Sequence, residues 1–354
     1  MAYDGAVGRT ILLYGDMRAD RLGASYRRAF EELGHTVVPV DSSQITQHLR
    51  WWLRDRVMHR LTIKSLGARR RGTTAWNDLV VGVAAQHRPD LVLVLNGEFL
   101  MPETFRRLQA LGAHVALFHS DNPFPPHYAN RPETLPSARQ VDTYLIWSER
   151  IARHLEATGV RRACYLPFAW DHEVFPFQGL ASHWDHDVVF IGGWAREREE
   201  LLDAVARRFP LKIWGPPYWA TRTRLGSRAR RAWQGRALTG PQAAQVAARA
   251  KIVLNPLRMQ HSVDGAPDGV IMRTFEIPGC GGFLLATRSR EALNIFPEEA
   301  SGAYFGDPEE AIAQIERYLG DPERRVAIAR AAHELVARQH RYEHRAAAIL
   351  ESCR

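Results

Sequence analysis

Short apolar runs alternate along the chain with polar stretches of helical spacing. Thr10 to Tyr14 is apolar, Gly15 to Gly23 is turn-rich, and Ala24 to Leu33 has a helical repeat closed by Gly34. Thr36 to Val40 follows as a second strand, so the opening reads as one βαβ unit. Further strands are expected at Asp90 to Leu95, Val115 to Phe118 and Thr143 to Trp147, with a helix from Ser148 that stops at Gly159. Arg50 to Arg71 sets Trp51, Trp52, Leu53, Val57, Met58 and Leu61 among arginines, the spacing of a helix with one packed and one solvated face. The pattern breaks between Pro167 and Asp185 and then resumes. Val188 to Ile191 leads through Gly192–Gly193 to a helix over Arg198 to Arg207, and strands follow at Leu211 to Trp214, Ile252 to Leu254 and Phe283 to Ala286. Thr221 to Arg236 reads as a surface helix or loop. Asp307 caps a helix from Pro308, and Gly320-Asp321-Pro322 opens the last helical stretch. This alternation predicts an α/β protein of two Rossmann-like, doubly wound domains facing a central cleft. The expected division is 1–170, 171–335, and a terminal helix over 336–354 that can cross back to the first domain.

Composition narrows the class. The 354 residues are 45% hydrophobic and 24% charged, which excludes a disordered or collagen-like chain. No stretch approaches the ~20 apolar residues of a membrane span. The start, MAYDGAVGRT, lacks the charged and apolar regions of a secretory signal. Cys164, Cys280 and Cys353 are odd in number and far apart, so they suggest neither a disulfide framework nor a metal cluster, and a cytoplasmic setting is expected. The net charge is +8, and Lys64, Lys212 and Lys251 are the only lysines. Arginine suits planar contact with phosphate, although genome composition explains the preference equally well. His340 and His344 lack the acid of a zinc-protease motif. The arginine-rich stretches fit no nucleic-acid module, so a peripheral contact with an anionic membrane face or a lipid-linked acceptor ranks above nucleic acid.

Chemistry is sought at strand ends, where open parallel sheets bind ligands. The stretch DGVIMRTFEIPGCGGFLLAT places Asp268 eight positions before Glu276, then Gly279-Cys280-Gly281-Gly282 and a strand. A carboxylate there can accept hydrogen bonds from the vicinal hydroxyls of a ribose or hexose, and helix-start amides with Arg273 suit a diphosphate. The plainer alternative is a capped helix with solvated acids. Asn255, at a strand end before Pro256, is a candidate for lining a donor pocket. In the first half, FHSDNPF sets His119 and Asp121 just beyond a strand. Gly15, Asp16 and Glu98 end other strands on the expected rim and are the acceptor-side candidates.

The stretch from Asp268 to Thr287 resembles the acid-x7-acid donor motif of retaining group 1 glycosyltransferases with the GT-B fold. Glu276, Cys280, Gly281, Ala286 and Thr287 match position by position, while Asp268 replaces the first glutamate. RTFEIPGCGG, Phe305-Gly306-Asp307 and HRYEHRAAAIL are closest in style to the CgeB-like, spore-maturation-type branch. With FIGGWAREREELL and KIVLNPLR the similarity spans most of Asp187 to Leu350, and it extends more loosely through LVLVLNGEFL, FHSDNPF and LPFAWD. The resemblance implies that Glu276 binds the donor ribose and Asp268 the sugar hydroxyls near the reacting carbon. It implies a pyrophosphate site at Gly192, Gly193 and Arg198. Gly193 stands where an arginine is usual, so Arg258 or Arg273 would supply the second charge, with Thr274 beside them. His119 resembles the strand-end histidine that faces the donor sugar, and Asp121 would orient the acceptor or take its proton.

The expected activity is transfer of a sugar from a nucleotide-activated donor to an acceptor hydroxyl, retaining and metal-independent, with no separate cofactor. Neither the base nor the sugar is specified, and the acceptor is a glycan, lipid-linked or protein. A non-catalytic nucleotide-sugar-binding protein and a nucleotide-sugar epimerase are the rivals on the same fold.

Overall fold

The computed structural model describes residues 8–45, 64–125, 130–258, 262–263 and 266–353. Much of the expected amphipathic stretch Arg50 to Arg71 lies outside these residues. The chain divides into two compact units, Met1–Leu166 with Ala346–Arg354, and Pro167–Arg345.

The first unit runs β1 (Thr10–Gly15), α1 (Leu22–Glu32), β2 (Thr36–Asp41), α2 (Lys64–His87), β3 (Leu91–Leu95), α3 (Pro102–Gln109), β4 (His114–His119), α4 (Thr134–Ala138), β5 (Thr143–Ile146), α5 (Glu149–Ala157) and β6 (Ala163–Tyr165). Its six strands lie in the order β2-β1-β3-β4-β5-β6, all parallel, with Leu13 opposite Leu93 and Leu93 opposite Ala116. Central strands of such a sheet are covered on both faces, which is why β3 is the unbroken run LVLVL. Gly34, at φ +83°, ends α1: the His35 amide reaches back to the Phe30 carbonyl at 3.0 Å, as in a Schellman turn. Strand order reverses between β1 and β3.

The second unit contains β7 (His186–Ile191), α6 (Arg196–Val205), β8 (Leu211–Trp214), α7 (Tyr218–Arg222), α8 (Arg228–Ala232), α9 (Gly240–Ala248) and β9 (Ala250–Asn255). A small hairpin of β10 (Ser262–Val263) and β11 (Ala266–Pro267) precedes α10 (Arg273–Gly279), β12 (Leu284–Thr287), α11 (Arg290–Ile295), β13 (Ala303–Phe305), α12 (Pro308–Gly320) and α13 (Pro322–Gln339). The final helix, α14 (Tyr342–Ser352), begins in this unit. The parallel strands are ordered β13-β12-β9-β7-β8, so strand order reverses between β7 and β9. Val188, Phe190, Leu202, Ile213, Ile252, Leu285 and Ile315 form the core on this sheet.

The arginine-rich stretch Thr221 to Arg236 holds the end of α7 and the short α8. Asp203 of α6 fixes its start, accepting from the Ser227 hydroxyl at 2.9 Å and from the amides of Arg228 and Ala229. Among the described residues no helix is long and apolar enough to cross a membrane.

Candidate functional site

In the second unit, the neighbouring ends of β7 and β9 bring Gly192–Gly193 beside Asn255–Arg258 at the switch point of the sheet. Arg198, in the first turn of α6, folds back into this corner. Its Nε donates to the Pro256 carbonyl at 2.9 Å and its Nη1 to the Gly193 carbonyl at 3.1 Å, with the guanidinium 5.4 Å from the Phe190 ring centre. Arg198 is 4% exposed, so a surface arginine paired with a glutamate does not describe it. Burial pushes its pKa down, and the charges of Arg258 and Arg273 add to that, against Glu197 and Tyr218.

Gly193 explains how a second arginine enters. A Cβ there would stand 2.5 Å from Arg258 Nη2 and 2.7 Å from the Tyr218 hydroxyl. The missing side chain therefore makes room for the Arg258 guanidinium, which comes from beyond β9. Arg273 completes the group: its Nε donates to the Ile191 carbonyl at 3.3 Å and its Nη1 to Glu276 Oε2. Its guanidinium lies 5.1 Å from the centre of the Phe175 ring. Glu276 is buried; desolvation raises its pKa while Arg273 opposes that and Asp171 adds to it. Asn255 Nδ2 donates to Thr274 Oγ1 at 3.4 Å, tying the end of β9 to α10.

Asp268 is also buried, but the contact described for its side chain is with Glu291 on α11. Sequence reasoning missed Glu291, along with Phe175 and Tyr218.

In the first unit, His119 closes β4 with its ring stacked on Tyr144, 6.4 Å between centres. His119 Nδ1 is 2.7 Å from the Asp121 carbonyl and 3.3 Å from the Asp121 amide. Nδ1 lies between an acceptor and a donor of the same residue, and it donates to the carbonyl in one tautomer and accepts from the amide in the other. Asp121 thus holds His119 through its backbone. The turn before Phe124 is made by the neighbouring residue, whose Asn122 Oδ1 accepts from the Phe124 amide at 3.1 Å.

The loop after β3 is bent unusually. Asn96, Gly97 and Phe99 have φ of 61°, 67° and 69°, a region that a phenylalanine rarely enters. Asn77 fixes this shape: its Nδ2 donates to the carbonyls of Phe99 at 2.9 Å and Thr73 at 2.6 Å. Its Oδ1 accepts from the Met101 amide at 2.9 Å and from the Thr104 hydroxyl. Tyr14 Oη donates to the Glu98 carbonyl at 2.5 Å and accepts from Trp76 Nε1 at 3.0 Å. The loop borders a cavity of about 1000 Å³ whose lining includes Asn96, Glu98, Phe99, His119, Arg131 and Ser137. The Arg131 guanidinium sits 4.2 Å over the Phe99 ring.

Of the expected first-unit residues, His119 and Glu98 share this cavity, whereas Gly15, Asp16 and Asp121 are not in its lining. Gly15 packs against Leu95, which a Cβ would approach to 3.1 Å, and Asp16 forms ion pairs with Arg18 and Arg21. The Asn96-Gly97 pair was a readable turn signal, but nothing local announced Asn77.

Residues 196–351 match the family described as Glycosyl transferase-like. Solved structures extend the likeness to nearly the whole chain. Sucrose-phosphate synthase from Thermosynechococcus elongatus matches at 12% identity and TM-score 0.63, covering 97% of this chain and 98% of that one. The fold is GT-B. A glycosyltransferase from Rickettsia africae matches with TM-score 0.64 and 11% identity over 98% of this chain and 97% of its own. Another GT-B neighbour is Anabaena Alr3699/HepE in complex with UDP and glucose, at 13% identity and TM-score 0.63 over 97% of this chain and 99% of that one. No curated protein matches in sequence.

Proposed function

We propose that the protein is a glycosyltransferase of the CgeB-like branch that moves a hexosyl group from a nucleotide-activated donor to an acceptor hydroxyl with retention. The observation that carries the reading is the convergence of Arg198, Arg258 and Arg273 on the turn after β7. Glu276 and Glu197 offset only part of that charge, which suits a diphosphate.

In the reaction, the bond from the anomeric carbon to the diphosphate oxygen breaks, and the acceptor oxygen bonds that carbon. The acceptor proton leaves with the departing diphosphate. Arg258 and Arg273 neutralise the developing charge, and Arg198 keeps the turn in shape while adding its own. This leaves no step that calls for a metal ion, and turnover is expected to persist in a chelator. Glu276 takes the ribose diol, with Asn255 and Thr274 lining the donor pocket and Gly192 admitting it closely. Asp268 takes sugar hydroxyls near the reacting carbon. His119 Nε2 accepts from a sugar hydroxyl, Asp121 orients the loop, and Glu98 receives an acceptor hydroxyl, with Gly15 and Asp16 on the same rim. A sugar acceptor fits a cavity that mixes carboxylate, amide, imidazole and one aromatic ring. Such an acceptor is compatible with a lipid carrier and a peripheral membrane contact.

HepE carries UDP in its structure, so UDP leads the test, followed by GDP and ADP. Calorimetry is expected to find one that binds the parent and binds Arg258→Ala roughly 10- to 100-fold more weakly, as for a lost hydrogen bond to a charged group. Failure of the parent to bind any nucleoside diphosphate would overturn the reading.

A further inference from the structure

Asp268 and Glu291 are two carboxyl groups, 1% and 2% exposed, in side-chain contact inside the second unit. Two buried carboxylates in contact cannot both stay charged, because neither is screened and each repels the other. The surroundings of Glu291 favour it as the one that holds the proton. Glu291 Oε2 accepts from the Gly269 amide at 3.1 Å, which is satisfied by either protonation state. Glu291 Oε1 is buried with no donor to accept from. Its cationic neighbour, Arg290 Nη2, stands 3.7 Å away, beyond hydrogen-bond reach. An ionised Oε1 would have no hydrogen-bond donor and only the half-exposed Arg290 as an ion-pair partner, whereas a protonated one becomes a donor with Asp268 as acceptor.

The backbone beside the pair is clamped from the same helix. Ser289 caps α11 and also donates from its hydroxyl to the Gly269 carbonyl at 2.9 Å. Gly269 has φ +71°, so the turn that presents Asp268 is one a side-chain-bearing residue would strain. Ser289 and Glu291 therefore grip both polar groups of Gly269. Among the described residues, the charged groups facing Glu291 are Asp268 from the preceding loop and Arg290 from its own helix.

We propose that Glu291 is a positioning residue for Asp268: its protonated Oε1 donates a hydrogen bond to the Asp268 carboxylate and fixes the loop that carries it. Burial first, and then the Asp268 charge, raise the Glu291 pKa, in the direction this arrangement needs. Deprotonation at higher pH sets two carboxylates against each other and loosens the Gly269 turn. The inference rests on the reading of Asp268 as a donor-sugar residue, so its test keeps a readout that needs no turnover.

The experiment compares the parent with Glu291→Gln and Glu291→Ala across pH. Glutamine keeps both bonds, Nε2 to Asp268 and Oε1 from Gly269, and cannot ionise. Carboxyl-13C spectra should show one glutamate, missing in Glu291→Gln, that titrates above the ordinary range. Protection of the Gly269 amide, taken against its intrinsic exchange rate at each pH, should fall in the parent as that group ionises, hold in Glu291→Gln, and be low throughout in Glu291→Ala. With the nucleotide sugar whose diphosphate binds, kcat/KM should fall roughly tenfold over the same interval in the parent, the worth of one such bond. That limb should be absent in Glu291→Gln. A Glu291 resonance in the ordinary range, or Gly269 exchange indifferent to it, overturns the proposal whether or not the protein turns over. A parent that titrates and loosens as expected but transfers no sugar overturns the transferase reading and leaves the pair standing.

Discussion

At the strand ends of the first unit the backbone itself is bent: Asn96, Gly97 and Phe99 hold positive φ, and neutral groups of Asn77, Tyr14 and Trp76 keep them there. At the strand ends of the second unit, three arginine side chains reach into the corner and two of them donate to backbone carbonyls. Two sheets of the same doubly wound kind thus carry different rims, one shaped by neutral hydrogen bonds and one by charge. Neutral bonds can hold a strained loop still without attracting an ion. Guanidinium groups hold a turn and leave an electrostatic demand that a phosphate can meet. A rim built the first way should be sensitive to shape, and one built the second way to charge and salt.

The strongest test of that contrast is Arg198→Ala. It leaves the carbonyls of Gly193 and Pro256 without their donor, at about 1–3 kcal/mol each, and a drop of that size should appear in chemical denaturation. Arg198→Lys should recover little of it, because an ammonium group does not reproduce the planar fork. A stability equal to the parent would mean that the corner does not depend on these bonds. Next comes Asn77→Ala in the first unit, expected to cost about 2–3 kcal/mol, since it frees several buried partners at once. That loss should be the same at low and high salt, whereas nucleoside diphosphate affinity in the second unit should weaken steeply with salt. Equal salt dependence of the two would erase the contrast.

Phe99→Gly should change stability by less than about 1 kcal/mol, because relief of the φ strain offsets the lost ring contacts. It should nevertheless raise KM for a sugar acceptor by removing the ring beneath Arg131. An unchanged KM would detach that ring from acceptor binding. The smallest effect is expected for Gly193→Ala. The atoms it meets are the flexible ends of Arg258 and Tyr218, so thermal unfolding should move by under about 0.5 kcal/mol. Nucleoside diphosphate affinity should fall as Arg258 is displaced, and Arg258→Ala should then have a smaller effect in the Gly193→Ala background than alone. Additive losses would show that the two positions are independent.

Much of the scaffold was legible because buried parallel strands are written as unbroken apolar runs. LVLVL, the run before Gly15 and the run before Gly192 each fall within a strand of the structure. The caps were legible as well: Ser148 accepts from the Ile151 amide, and Asp307 accepts from the amides of Glu309 and Glu310. The candidate site was legible by residue and not by contact. His119 stood out in FHSDNPF, yet what its ring nitrogen meets is the Asp121 backbone, which every residue possesses. Arg198 sits among acids at helical spacing, as a surface arginine would, and its partners are again carbonyls. Glu291 follows a capping serine, where an acid is ordinary, so nothing nearby revealed that its partner lies more than twenty positions earlier at Asp268. The short β6 and β13 carry too few residues to announce themselves.

The division of the chain at Leu166 and Ala346 has a consequence for how the protein comes into being. The second unit is one continuous piece and is complete once Arg345 has emerged. The first is not, because Ile349, Leu350 and Cys353 are buried parts of it. At about 5–20 residues per second, the wait between Leu166 and Ala346 is roughly 10–40 s. Throughout that interval the first unit lacks the buried side chains that Ile349, Leu350 and Cys353 contribute to it.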